Sequence, residues 1–147
     1  MNNKVENIGN YAFQNSKITQ IVFPQQIKEI SSWAFNGAQM TSLVFENCAV
    51  NIGENAFNNC TNITSIDFGN NILSIGYGAF MCAGNGIDSI ILPASITYIG
   101  ESAFEDADID TIYCRFEESI MDDWDDGNYW TETFYGSEII YGYTGEE

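Results

Sequence analysis

The sequence contains no histidine, two prolines and four basic side chains (Lys4, Lys17, Lys28 and Arg115) against 21 acidic ones, a formal net charge of −17 over 147 residues. Each shortage excludes something. Without histidine there is no Ser-His-Asp or Cys-His arrangement, no imidazole metal ligand and no general base of the usual kind. Four basic residues cannot form the stripe that neutralises nucleic-acid phosphates, nor dock the chain on anionic lipid. No apolar run approaches the roughly 20 residues that span a bilayer, so no membrane insertion is expected. The opening residues, MNNKVENIGNYAF, lack the apolar core and cleavage site of a signal peptide.

What is present suffices for a core. Hydrophobic residues make up 45% of the chain, far from the composition of a disordered acidic tail. The charge is uneven. Residues 1–100 carry six acids and three lysines, a net of −3, whereas residues 101–147 carry fifteen acids and one arginine, a net of −14. Aromatic residues crowd the same end. The composition therefore divides the chain into a near-neutral body and an acidic, aromatic terminal region.

The body is an internal repeat. Ala-Phe occurs at 12–13, 34–35, 56–57, 79–80 and 103–104, at intervals of 22, 22, 23 and 24 residues. An isoleucine stands four before each alanine (Ile8, Ile30, Ile52, Ile75, Ile99), and a small residue four after it (Ser16, Ala38, Cys60, Ala83, Ala107). A triplet spaced L-x-x-L-x-L follows, from Ile18/Ile21/Phe23 through Met40/Leu43/Phe45, Ile63/Ile66/Phe68 and Ile87/Ile90/Leu92 to Ile109/Ile112/Cys114. Ile27, Ala49, Ile72 and Ile96 come four residues later. The triplet's last two members, as in Gln20-Ile21-Val22-Phe23, share one face of a strand by period-two alternation. The Gly-x-x-Ala-Phe stretch is too short for a full helix and predicts a helical turn or short 3₁₀ piece. A unit this small cannot bury its own apolar side, but stacked coils can. Phe13, Phe35, Phe57, Phe80 and Phe104 are then expected to form one aromatic ladder, each buried ring contributing roughly 1.5–3 kcal/mol.

Read through one unit, Ile52-Gly53-Glu54-Asn55-Ala56-Phe57-Asn58-Asn59-Cys60 continuing to Ile63-Thr64-Ser65-Ile66-Asp67-Phe68, the pattern resembles the BspA-type class of leucine-rich repeats. The resemblance covers residues 5 to about 116, in five matched units. It implies a leucine-rich-repeat solenoid, a right-handed superhelix with mainly β strands and short turns in each coil. It also implies a family common in bacterial surface and secreted proteins that binds partners rather than catalyses. The departures are local: Ser31 stands where other units have glycine, and Glu46 and Gly69 stand where Pro24 and Pro93 do.

Residues 1–116 are expected to form the solenoid, and residues 117–147 an acidic aromatic cap of the same domain, with strand character in Glu138-Ile139-Ile140-Tyr141-Gly142-Tyr143. Only Val5 and Ile8 precede the first Ala-Phe, which leaves an open first coil and an edge prone to self-association. The four cysteines (Cys48, Cys60, Cys82, Cys114) contain no C-x-x-C. They read first as buried thiols, and alternatively as a Cys60–Cys82 bridge between coils. Asp122-Asp123-Trp124-Asp125-Asp126-Gly127-Asn128 hints at a calcium loop, but Trp124 and Thr133 occupy ligand positions, so a solvated turn is the better reading. No metal and no cofactor are expected.

If the residues flanking the inward pair point outward, the sheet face carries three columns. One is small and polar: Gln20, Ser42, Ser65, Ser89 and Thr111. The second, Val22, Val44, Asp67, Ile91 and Tyr113, is varied and partly apolar, as a partner-binding surface is; strand propensity alone also accounts for its aliphatic members. The third is Pro24, Glu46, Gly69, Pro93 and Arg115. The expected function is non-catalytic binding of a protein or glycan through this face. The alternative is an assembly role through the solenoid ends, as in a surface layer or phage particle.

Overall fold

A computed structural model of the chain describes residues 4–119, 134 and 136–145. The proposed Asp122–Asn128 loop lies outside the described residues. Each coil contributes a two-residue strand and a longer one. In chain order these are β1 (Asn7–Ile8), β2 (Gln20–Phe23), β3 (Glu29–Ile30), β4 (Ser42–Phe45), β5 (Asn51–Ile52), β6 (Ser65–Asp67), β7 (Ser74–Ile75), β8 (Ile87–Leu92), β9 (Tyr98–Ile99) and β10 (Ile109–Cys114); β11 (Glu138–Ile140) comes from the terminal region. All pairings are parallel and join successive coils in register, for example Ile8↔Ile30 and Ile30↔Ile52. The chain is a parallel β-solenoid of about five turns. Among the described residues no helix is long and apolar enough to cross a membrane.

Two faces of the solenoid behave differently. The short strands form one continuous sheet in the order β1-β3-β5-β7-β9. The long strands form two sheets, β2-β4-β6 and β8-β10-β11, with no strand pairing between β6 and β8. The continuous face needs glycine where coils approach most closely. A Cβ on Gly76 would lie 2.8 Å from Glu54 N, and one on Gly100 would lie 2.5 Å from Tyr77 N.

The Ala-Phe stretch differs from the expected helical or 3₁₀ turn. It is a run of overlapping β-turns in which alternate amides serve different partners. In the first coil the Ala12, Gln14 and Ser16 N–H groups donate three residues back, to the Gly9, Tyr11 and Phe13 carbonyls. The Tyr11, Phe13 and Asn15 N–H groups donate to Ser32, Ala34 and Asn36 of the next coil. Sharing the amides in this way prevents a continuous helix and turns the stretch into a third inter-coil ladder. The chain accommodates it with two left-handed residues per unit, as at Asn55 (φ 53°) and Asn59 (φ 58°); asparagine tolerates that region better than most side chains.

Inside, the rings stack. Phe13, Phe35, Phe57, Phe80 and Phe104 lie 5.1, 5.3, 5.1 and 5.3 Å apart between successive centroids, and Phe134 continues the column at 5.7 Å from Phe104. A second column, Phe23, Phe45 and Phe68, stacks at 4.7 and 5.6 Å. The columns meet edge to face, Phe23 against Phe35 and Phe68 against Phe80, a favoured aromatic geometry. Phe13 is 39% exposed because no coil covers it, whereas Phe35, Phe57, Phe80 and Phe104 are fully buried. One inward position moves: Ala49 is exposed, and Cys48 and Val50 on either side are buried in its place. The cause is a tight turn in which Asn47 N–H reaches the Phe45 carbonyl at 2.7 Å, replacing the four-residue turn that Ile27 closes on Pro24.

At the far end β11 pairs with β10, Ile112 opposite Ile139 and Tyr113 opposite Ile140. Ser137 Oγ donates to the Ile109 carbonyl at 2.7 Å. These residues therefore cover the last coil, while β1 and β2 stand as sheet edges at the first.

Candidate functional site

The third column of the long-strand face changes its inter-coil bonding on either side of β6. Glu46 N–H donates to the Phe23 carbonyl, and Arg115 N–H donates to the Leu92 carbonyl, both at 3.0 Å. The two coils between lose this bond. Gly69 N–H donates to Asp67 Oδ1 at 2.9 Å, an Asx-type turn. Pro93 has no N–H to give. Gly69 holds φ +60°, and a Cβ there would lie 2.5 Å from the Phe45 carbonyl oxygen, so the turn requires glycine.

Over this break lies a hollow of about 810 Å³. Val44, Asp67 and Ile91 of the second column line it, with Glu46, Gly69 and Arg115 of the third and Ser89 of the first. Val22 and Tyr113 do not line it. Val22 is an exposed residue of β2, and Tyr113 is half-buried, opposite Ile91 in the β8–β10 register. The rings of Tyr113 and Tyr143 lie 4.6 Å apart beside the hollow's Ile91 side.

Three further lining residues, Gln25, Asn47 and Asn70, escape the column analysis. They occupy the next repeat position after the third column, spaced 22 and 23 residues apart, and a run of side-chain amides at one repeat phase was the available signal. Asn47 and Asn70 make a relay across coils. Arg115 Nη1 donates to Asn70 Oδ1 at 3.0 Å, across 45 residues. Asn70 Nδ2 reaches Asn47 Oδ1 at 3.5 Å, and Asn71 Nδ2 donates to the Asn47 carbonyl at 2.9 Å. Arg115 reaches back over the fourth coil, where Ala94 holds the amide position.

Chemically the hollow offers hydrogen-bond donors and acceptors over an aliphatic floor. The cysteines lie away from its lining. All four are free thiols. Burial pushes the Cys60 and Cys114 thiols up to about 12, which keeps them protonated and unreactive at neutral pH. Burial also raises Cys48 and Cys82, with neighbouring carboxylates acting in the same direction. Cys60 Sγ donates to the Phe35 carbonyl at 3.1 Å. Among the described residues no group of three or more Cys, Asp or Glu side chains is placed to hold a metal ion.

A family model described as the BspA type leucine rich repeat region matches residues 1–118 in six copies. No curated protein and no solved structure matches the chain.

Proposed function

Because the chain belongs to the BspA-type leucine-rich repeat family, we propose that it is a non-catalytic binding module that takes a protein or glycan partner on its long-strand face, displayed on or secreted by a bacterium. The observation that carries this reading is the hollow at the sheet break, lined by Val44, Asp67 and Ile91. A stack of coils has no intrinsic reason to interrupt one face while the other runs on. Here the interruption coincides with the most varied column. Val22 and Tyr113 extend the same surface to either side. Surface plasmon resonance against immobilised matrix proteins and glycans tests it, with Val44→Thr, Asp67→Asn (which keeps the acceptor for Gly69 N–H) and Ile91→Thr combined. The wild-type chain should bind at least one of them, and the triple variant should lose that binding with an unchanged melting temperature. Unchanged affinity would sink the reading.

The open first coil favours a second reading, assembly through the solenoid end. Tyr11 is 56% and Val5 59% exposed beside the uncovered Phe13 ring. This end also holds three of the four cations, unlike the acidic far end, so contact between two such ends escapes the strongest repulsion. Light scattering at increasing concentration separates the readings: growth in mass that Phe13→Lys abolishes supports assembly, and a constant monomer removes it.

A further inference from the structure

We propose that the hollow between β6 and β8 binds a neutral oligosaccharide, with the Asp67 carboxylate and the Arg115–Asn70 pair holding its hydroxyls. This rests on the binding-module reading and names its ligand. The first support is the lining. Six side chains bordering the hollow, Gln25, Glu46, Asn47, Asp67, Asn70 and Arg115, end in planar amide, carboxylate or guanidinium groups. Such groups present two hydrogen-bonding atoms in a fixed plane, which suits neighbouring hydroxyls that each donate and accept.

The second support is preorganisation. Asp67 is anchored through one oxygen by Gly69 N–H, and Arg115 is seated on a neutral amide. Among the described residues Lys28–Glu6 is the one salt bridge, so the Arg115 guanidinium has no carboxylate partner there. Among the described residues, both groups are held in place without consuming their full hydrogen-bonding capacity.

Charge and shape decide between ligand classes. An anionic polymer would meet Glu46, Asp67 and a chain of net charge −17. A cationic peptide would meet Arg115. A neutral polyol suffers neither repulsion. Protein hot spots need a deep apolar pocket for an anchoring side chain. Here Phe45 and Phe68 lie beneath the surface at 1% and 2% exposure, leaving Val44 and Ile91 as shallow apolar contacts. The Tyr113–Tyr143 pair next to Ile91 adds aromatic surface on which the C–H face of a sugar can pack.

Titration calorimetry of the whole chain tests this with neutral glucan, mannan and chitin hexasaccharides, against a polyuronate and a lysine-rich peptide. At least one neutral hexasaccharide should bind. Arg115→Ala and Asp67→Ala should each weaken it about tenfold or more, with Asp67→Asn, which keeps the acceptor for Gly69 N–H, as the check if Asp67→Ala unfolds. The affinity should change less than about twofold between low and high salt, since a neutral ligand is not screened. The proposal is overturned if no neutral saccharide binds, or if binding survives all these variants. Peptide binding that the Asp67 variants abolish would overturn the sugar assignment while leaving the binding module standing. A chain that binds nothing on this face would remove both.

Discussion

The two strand faces of this solenoid are built from the same coils and yet only one is continuous. On the short-strand face, Ser31, Gly53, Gly76 and Gly100 donate backward to Ile8, Ile30, Ile52 and Ile75 at 2.7–2.9 Å. On the long-strand face the matching inter-coil bond is made by Glu46 and Arg115 but not by Gly69 or Pro93. The short face keeps its ladder because its residues are constrained by backbone contact. The long face carries an Asx turn at Gly69 and a buried proline at Pro93, and neither residue donates to the neighbouring coil. There the hollow opens.

Four measurements bear on that contrast, the largest effect first. Phe57→Ala strikes the core that both faces share, since Phe57 stacks on Phe35 and Phe80 and meets Phe23 and Phe45 edge-on. The expected cost is about 3–5 kcal/mol, read by chemical denaturation; a cost under about 1 kcal/mol would mean the stack is not a structural support.

Alkaline pH should come next. Burial raises the folded-state pKa of Cys60 and Cys114 from the ordinary 9.0 to about 12, so the folded chain holds protons that the unfolded chain releases. Their contribution is intact below about pH 9 and is lost as pH climbs toward the folded value. At about pH 10.5 the loss is roughly 2 kcal/mol per thiol. Tyr141, pushed up to about 12 chiefly by burial, acts in the same direction. Thermal melts under reducing conditions at neutral and alkaline pH check this, and replacing both cysteines with alanine should flatten the dependence.

Gly76→Ala should cost about 1–3 kcal/mol, because its Cβ would press on the Gly53–Glu54 backbone of the coil below. Pro93→Ala on the broken face should cost under about 1 kcal/mol, chiefly through greater freedom of the unfolded chain. Equal costs would erase the contrast between the faces. The smallest effect is local. Hydrogen exchange at the β8 amides that face β6 should run about tenfold or more faster than at their β10 counterparts, which pair with β8 in full register. Equal protection would mean that the break does not open in solution.

Much of this was legible from residue spacing. Ile8, Ile30, Ile52, Ile75 and Ile99 marked one inward column and the Ala-Phe pairs another, because a repeated apolar side chain has nowhere to go but the shared interior of a stack. Val44, Asp67 and Ile91 were legible as one outward column for the same reason. Ala49 was misread as the inward residue, since the tight Phe45–Asn47 turn shifts the phase in that coil alone and buries Cys48 and Val50 instead. The amide relay of Asn47 and Asn70 was overlooked because amides at one repeat phase also suit ordinary turns. The linked β-turns of the Ala-Phe stretch were invisible in one unit, since half their amides bond the next coil.

The sequence by itself determined the coil length, the coil count, the inward columns and the family, because each depends on side chains recurring at a fixed period. Only the tertiary structure decided where the long face breaks, that Arg115 reaches Asn70 across a whole coil, and which members of a column share one hollow. Those depend on whether a particular amide finds a carbonyl in the neighbouring coil, and that competition is settled only when the coils are stacked.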